Sequence, residues 1–262
     1  MDINLSDKRA IVCGASKGMG RATAIELASL GASVTLVARR ADVLEQVRAG
    51  LDTSKGQKHH VLAADFFDIK ALKEKITKHV SAQGPFHILV NIAGGPPAGP
   101  AHLAAVEDFE RVFTQHLLAS HVLVQAVVEG MKSEKFGRII NVISTSVKQP
   151  IKGLGVSNTI RGAVANWAKT LAGELGPFGI TVNNVLPGPI DTDRMKEIVE
   201  GKSQKTGKTV AEIIALEKAE VPVGRFGKPE EMAQAIAFLA SPAAAYINGI
   251  NLPVDGGRTA SL

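Results

Sequence analysis

Short apolar runs alternate along this chain with longer amphipathic stretches, and turn residues separate them. Residues 9–13, 33–38, 60–64, 88–91, 139–143, 181–186 and 251–254 read as strands. Ala, Ile and Leu at helical spacing mark a helix over 19–30, which Gly31 closes. Further helices are expected at 42–51, 69–81, 106–133, 162–175 and 230–240. Strands that alternate with helices must be joined by right-handed crossovers, which lay down a parallel sheet covered on both faces. The expected class is α/β, a doubly wound seven-stranded parallel sheet in one domain spanning residues 1–262. Two stretches fall outside the pattern. Polar, lysine-rich residues 191–221 stand where such a sheet would carry a lid over its strand ends, and the proline-rich residues 96–100 could border the same crevice.

The first strand runs directly into Gly14-Ala15-Ser16-Lys17-Gly18-Met19-Gly20, which opens the first helix. Glycines in that place allow the tight turn and let backbone N–H groups approach a pyrophosphate seated on the helix dipole, the Rossmann arrangement for a dinucleotide. The second strand ends at Ala38-Arg39-Arg40. An acidic residue there would accept from a free ribose 2′-hydroxyl and repel a 2′-phosphate; two arginines, with Lys17 nearby, offer charge and a planar fork for that phosphate instead. NADP(H) is the expected cofactor.

Composition narrows the field. The chain of 262 residues is 45% hydrophobic and carries a net charge of +5, but only 4% of it is aromatic and no basic block stands out, which argues against nucleic acid as a partner. It has no apolar run long enough to span a bilayer and no secretory leader at Met1–Leu5, so no membrane partner is expected. Cys13 is the single cysteine, which rules out an intrachain disulfide or a cysteine zinc site, predicts no metal, and suits a cytoplasmic location.

The motifs together resemble the short-chain dehydrogenase/reductase family over nearly the whole chain. Besides Gly14, Gly18 and Gly20, Asp65 resembles the family's acidic residue near the adenine, with Phe66 beside it, and Asn91-Ile92-Ala93-Gly94 is similar to its Asn-Asn-Ala-Gly turn. Ser144 ends the fifth strand where the family keeps a catalytic serine, while Asn183 and the segment Pro187-Gly188-Pro189-Ile190-Asp191-Thr192 look like its cover over the nicotinamide. Residues 224–231 and 254–257 are similar to its C-terminal signatures, and the order and spacing most resemble 3-oxoacyl-carrier-protein reductases. The resemblance implies cofactor contacts at Gly14, Ser16, Lys17, Gly18, Met19, Gly20, Arg39, Arg40, Asp65, Phe66, Asn91, Ala93, Gly94, Arg161, Pro187, Gly188, Ile190 and Thr192. It also implies a homodimer or homotetramer.

The departures fall on the chemistry. The family's catalytic Tyr-x-x-x-Lys pair corresponds to Ser157 and Arg161, thirteen and seventeen residues beyond Ser144, and its helical catalytic asparagine corresponds to His116. The single tyrosine, Tyr246, lies far downstream. A serine hydroxyl is a weaker acid than a phenol, and arginine does not readily release a proton. The candidate catalytic set is Ser144, Ser157, Arg161 and His116, with His116 as a proton shuttle. Asn158 reads as a helix N-cap, Lys148 and Lys152 as solvated, and Trp167 and Phe178 as packing or subunit contacts on the helix that follows. Two functions fit. One is an NADPH-dependent reductase of a ketone, an acyl thioester or an imine, with rewired proton delivery. The other is a non-catalytic NADP(H)-binding sensor or partner subunit.

Overall fold

In the computed structural model, which describes residues 1–96 and 98–261, all seven apolar runs become strands. They are β1 (Arg9–Cys13), β2 (Ser33–Ala38), β3 (His60–Ala63), β4 (Ile88–Asn91), β5 (Gly137–Val142), β6 (Ile180–Pro187) and β7 (Asn251–Val254). Every pairing is parallel, in the spatial order β3-β2-β1-β4-β5-β6-β7. The chain direction across the sheet therefore reverses between β1 and β4. The crevice for a ligand opens beyond their carboxyl ends, where the flanking connections part to opposite faces.

The helices are α1 (Gly18–Ser29), α2 (Ala41–Ala49), α3 (Ile69–Gln83), α4 (Val106–Phe113), α5 (Ala119–Ser133), α6 (Gly155–Leu175), α7 (Asp193–Thr206), α8 (Val210–Ala219) and α9 (Pro229–Ala240). Strand side chains alternate between two buried layers. Val12, Val90 and Ile140 pack with Leu27 of α1 and Ile236 of α9, whereas Ile11, Leu89 and Ile139 pack with Ile76 of α3, Leu123 of α5 and Ala168 of α6. Each aliphatic side chain withdrawn from water in these layers stabilises the fold by roughly 1.5–3 kcal/mol.

On the α5–α6 face, at the carboxyl ends of β4 and β5, the middle of β6 and the start of β7, the apolar pattern gives way to asparagine. Asn91 donates to Asn141 at 2.9 Å, Asn141 to Asn184 at 3.0 Å, and Asn184 to Asn251 at 2.8 Å, so one side-chain amide ladder crosses β4, β5, β6 and β7 in register. A one-residue slip would leave buried amides unpaired, which makes the ladder a register lock as well as a set of bonds.

Several expectations change. The stretch 106–133 is interrupted by one π-helical turn, Thr114–Leu118, whose wider winding turns His116 into the interior. α6 starts at Gly155, seven residues earlier than its helical pattern suggests, because Val156 and Ile160 pack on Val112 and override the weak helix preference of glycine, serine, asparagine and threonine. Asn158 consequently lies inside α6 and is no N-cap: its amide donates to the carbonyl of Ile151 at 2.9 Å. The stretch 191–221 holds two helices, α7, capped by Thr192, and α8, opened by a capping box between Thr209 and Glu212. Phe178 sits in the short 3-10 turn after α6, stacked under Lys132, while Trp167 packs against His121.

Candidate functional site

The glycine loop is built for an anion. Gly14 and Gly18 have φ of +62° and +54°, a region that favours glycine, and a Cβ on Gly20 would stand 2.2 Å from the Gly14 carbonyl oxygen. Lys17 occupies the N-cap of α1 without a side-chain bond to the first turn, so the helix opens with uncapped N–H donors. Ser16 is half-buried and Lys17 exposed beside them, and Met19 turns inward to pack on the core, which leaves its backbone for any ligand. Arg39 and Arg40 are exposed at the tip of β2. These residues fit a dinucleotide with a 2′-phosphate: backbone donors and helix dipole for the pyrophosphate, guanidinium forks for the extra phosphate.

The other expected contacts divide into two groups. Asp65 is exposed at the end of β3 and accepts from the Phe67 amide at 3.1 Å, while Ala93 and Gly94 lie half-buried and exposed past β4. Pro187, Gly188 and Thr192 flank the groove, and Thr192 reaches within 3.4 Å of the Cβ position of Gly18. Phe66, Asn91, Ile190 and Asn183 are different. Phe66 packs into the α5–α6 layer, Asn91 belongs to the amide ladder, and Ile190 is 5% exposed in the core. Asn183, 1% exposed, donates to the Ile247 carbonyl at 2.8 Å and accepts from the Ile250 amide at 3.2 Å. It tethers the turn before β7 and does not face the groove.

The residues expected to carry the reaction lie two strands away, on β5 and α6. Ser144 follows β5 and caps a 3-10 turn, its hydroxyl accepting from the Ser146 amide at 3.0 Å. Ser157 and Arg161 are one helical turn apart, so α6 presents both on one face. Arg161 is 6% exposed; its Nη1 donates to the Val142 carbonyl at 3.2 Å, two residues before Ser144. Burial alone draws its pKa down to about 10, with no carboxylate contributing. His116 is 4% exposed, and burial followed by the neighbouring Arg161 charge lowers its pKa to about 2, against a weak opposite pull from the Gly94 carbonyl. Its neutral form is therefore favoured, which sets it apart from a free imidazole.

Between these groups lies a chamber of about 20 Å³, lined by Cys13, Phe66, Asn91, His116, Asn141 and Arg161 among others, with room for about one water. His116 Nε2 and Arg161 Nε are both buried beside it without a bond to any group of the chain. Cys13 is inert there, its thiol pushed up to about 12 by burial despite a bond to the Ile92 backbone.

α7 borders the mouth. Lys17 lies 3.7 Å from Asp193, and Arg194 donates to the Pro96 carbonyl at 3.4 Å, so the first turn of α7 touches both the glycine loop and the loop after β4. Pro97, within the expected 96–100 border, is outside the described residues. On the other side, the loop 145–151 is held at its far end by Asn158. Lys152 is exposed and Lys148 half-buried in this loop. Asn158, Gln149 and Arg258 carry no motif; only a polar residue in the first turn of α6 pointed to Asn158. Tyr246, the single tyrosine, is fully exposed before β7, away from this edge. Among the described residues no cluster of metal-ligating side chains occurs, and no helix is long and apolar enough to cross a membrane.

Known proteins agree with this geometry. The family described as Enoyl-(Acyl carrier protein) reductase matches residues 14–259. The chain is 36% identical to a 3-oxoacyl-[acyl-carrier-protein] reductase of Vibrio cholerae over 97% of this chain and 98% of that one. It is 33% identical to the NADPH-dependent reductase BacG of Bacillus subtilis over 98% of this chain and all of the relative. The crystal structure of L-sorbose reductase from Gluconobacter frateurii, complexed with NADPH and L-sorbose, superposes with a TM-score of 0.93 at 30% identity over the full length of both chains. With the parallel sheet, the glycine cradle and full-length similarity to several of its reductases, the chain belongs to the short-chain dehydrogenase/reductase family.

Proposed function

We propose that this chain is an NADP(H)-dependent reductase of a carbonyl compound, a 3-oxoacyl thioester or related ketone, whose proton delivery does not run through a phenol. The observation that carries the reading is the tie between Arg161 and the Val142 carbonyl, which anchors a buried guanidinium next to Ser144 and one turn from Ser157. When bound, the cofactor supplies the hydride equivalent. The chain's own residues do the rest. The Ser144 hydroxyl already accepts from Ser146, so its proton is free to donate to a substrate oxygen. Arg161, in a low-dielectric setting and without a carboxylate to neutralise it, stabilises negative charge that grows on that oxygen. Ser157 passes the proton from solvent and stays a hydroxyl. His116, neutral beside Arg161, walls the site. α7 and α8 act as the lid of this crevice, and the exposed Leu103 and Val106 suit a homodimer or homotetramer.

The loss of rate expected without a matched general acid, about 10²–10⁴-fold, defines the second reading. A chain that binds NADPH and never turns over is a sensor or partner subunit, favoured by the neutral His116 and the charged Arg161, neither of which releases a proton near pH 7. Stopped-flow absorbance of NADPH with 3-oxoacyl thioesters and diketones separates the two. Multiple turnovers exclude the sensor; saturable cofactor binding without turnover of these or of other ketones, polyhydroxylated ones included, excludes the reductase.

A further inference from the structure

A crevice beside the proposed reaction segment has a lining that names a substrate class. It measures about 350 Å³, at the lower end of the ~300–1,000 Å³ typical of small-molecule sites. Thr145, Gln149, Pro150 and Ile151 form one wall, and Glu220, Arg258 and Thr259 the other. The first wall begins at the residue after Ser144 and ends at Ile151, which Asn158 clamps from the position next to Ser157. One end of that wall is thereby a sequence neighbour of Ser144, and the other is bonded to a sequence neighbour of Ser157.

The second wall is preorganised. Asp255 accepts from the Gly257 amide at 3.0 Å and from the Thr259 amide at 2.8 Å, and its carbonyl accepts from the Arg258 amide at 3.3 Å. Burial pushes the Asp255 carboxyl up, but the bonds from Thr259, Gly257 and Arg258 outweigh it and leave the pKa below the ordinary value. The turn that presents Arg258 and Thr259 is thus rigid in its ionised, bonded form. Arg258 pairs with Glu220, the residue that follows α8, so the crevice is rich in donors and acceptors yet close to neutral in net charge. A substrate carboxylate or phosphate would have to displace Glu220 to reach Arg258, and an alkyl chain would strand these polar groups without partners.

Resting on the reductase reading, we propose that this crevice holds the non-reacting end of a neutral, polyhydroxylated ketone, and that Gln149 and Arg258 set the specificity by hydrogen bonding to its hydroxyls. The reaction would reduce the ketone carbon to a secondary alcohol: hydride from the bound cofactor forms the C–H bond, a solvent proton completes the O–H, and the cofactor is oxidised.

The test uses the full chain with oxidised cofactor, so that binding is read without turnover. Calorimetry with D-fructose as the probe should give saturable binding, weakened about tenfold in Gln149→Leu and in Arg258→Met and partly rescued in Arg258→Lys. In crystals soaked with the same sugar, its hydroxyls should contact Gln149 and Arg258. With NADPH, the loss in each variant should fall on KM and not on kcat. Saturable binding of the sugar without NADPH consumption would keep the crevice assignment and overturn the reductase reading. No saturable binding, a sugar seated elsewhere, or preference for 2-oxoglutarate or an acetoacetyl thioester with its chain along Leu103 and Val156 would overturn the proposal.

Discussion

The cradle on β1 and α1 and the reaction segment on β5 and α6 sit on the same edge of one sheet, but they are made of different material. The cradle works through its backbone: positive φ at Gly14 and Gly18, the absence of a Cβ at Gly20, and the N–H groups that open α1. The proposed reaction segment relies on side chains held in a buried, partly unsatisfied setting, with Arg161 Nε and His116 Nε2 lacking partners in the chain. Backbone sites admit few substitutions because geometry forbids them. Side-chain sites can exchange one polar group for another and keep the fold, and Ser157 and Arg161 sit on α6 beside the packed Val156 and Ile160.

The largest expected contrast comes from the cradle. Gly20→Val places a Cβ 2.2 Å from the Gly14 carbonyl, so the loop must move; cofactor affinity should fall by about 3 kcal/mol or more, over 100-fold by fluorescence titration. If the variant binds NADPH normally, the cradle is not a backbone device and the comparison breaks.

Acid comes next. His87 and His116 have folded pKa values lowered to about 4 and about 2, below the ordinary value near 6.5. In each case burial is the chief cause; at His87, Lys8 and Arg9 add to it, and the Arg9 amide donates to Nδ1 at 3.0 Å. Groups lowered in the folded state contribute stability that is complete above the unfolded pKa and is lost as pH falls below it. Urea midpoints should therefore drop between pH 6.5 and 4, at a rate that sums to about 3 kcal/mol per histidine. His116→Asn should remove one share of that slope, and an unchanged slope would place the titration elsewhere.

Arg161→Met tests the other side. Replacing a buried guanidinium that has no carboxylate partner with an apolar chain of similar length should be neutral or stabilising, while the loss of charge at the substrate oxygen should cost about 10²-fold in kcat. Calorimetric Tm and turnover should move apart. A fall in both would mean that Arg161 is structural.

The amino acid sequence by itself determined the sheet, because uninterrupted apolar runs can only be buried strands and the helices between them dictate parallel order. It also determined the glycine cradle and the basic tip of β2, whose chemistry is local. The start of α6, the inward turn of His116 at the π segment, the amide ladder from Asn91 to Asn251, and the clamp of Asn158 on Ile151 were decided by tertiary structure alone. Each joins residues far apart along the chain or sets packing against local preference, and no short window of sequence carries that information. The same holds for the wall formed by Gln149 and Arg258, more than a hundred residues apart and brought to one crevice by the fold.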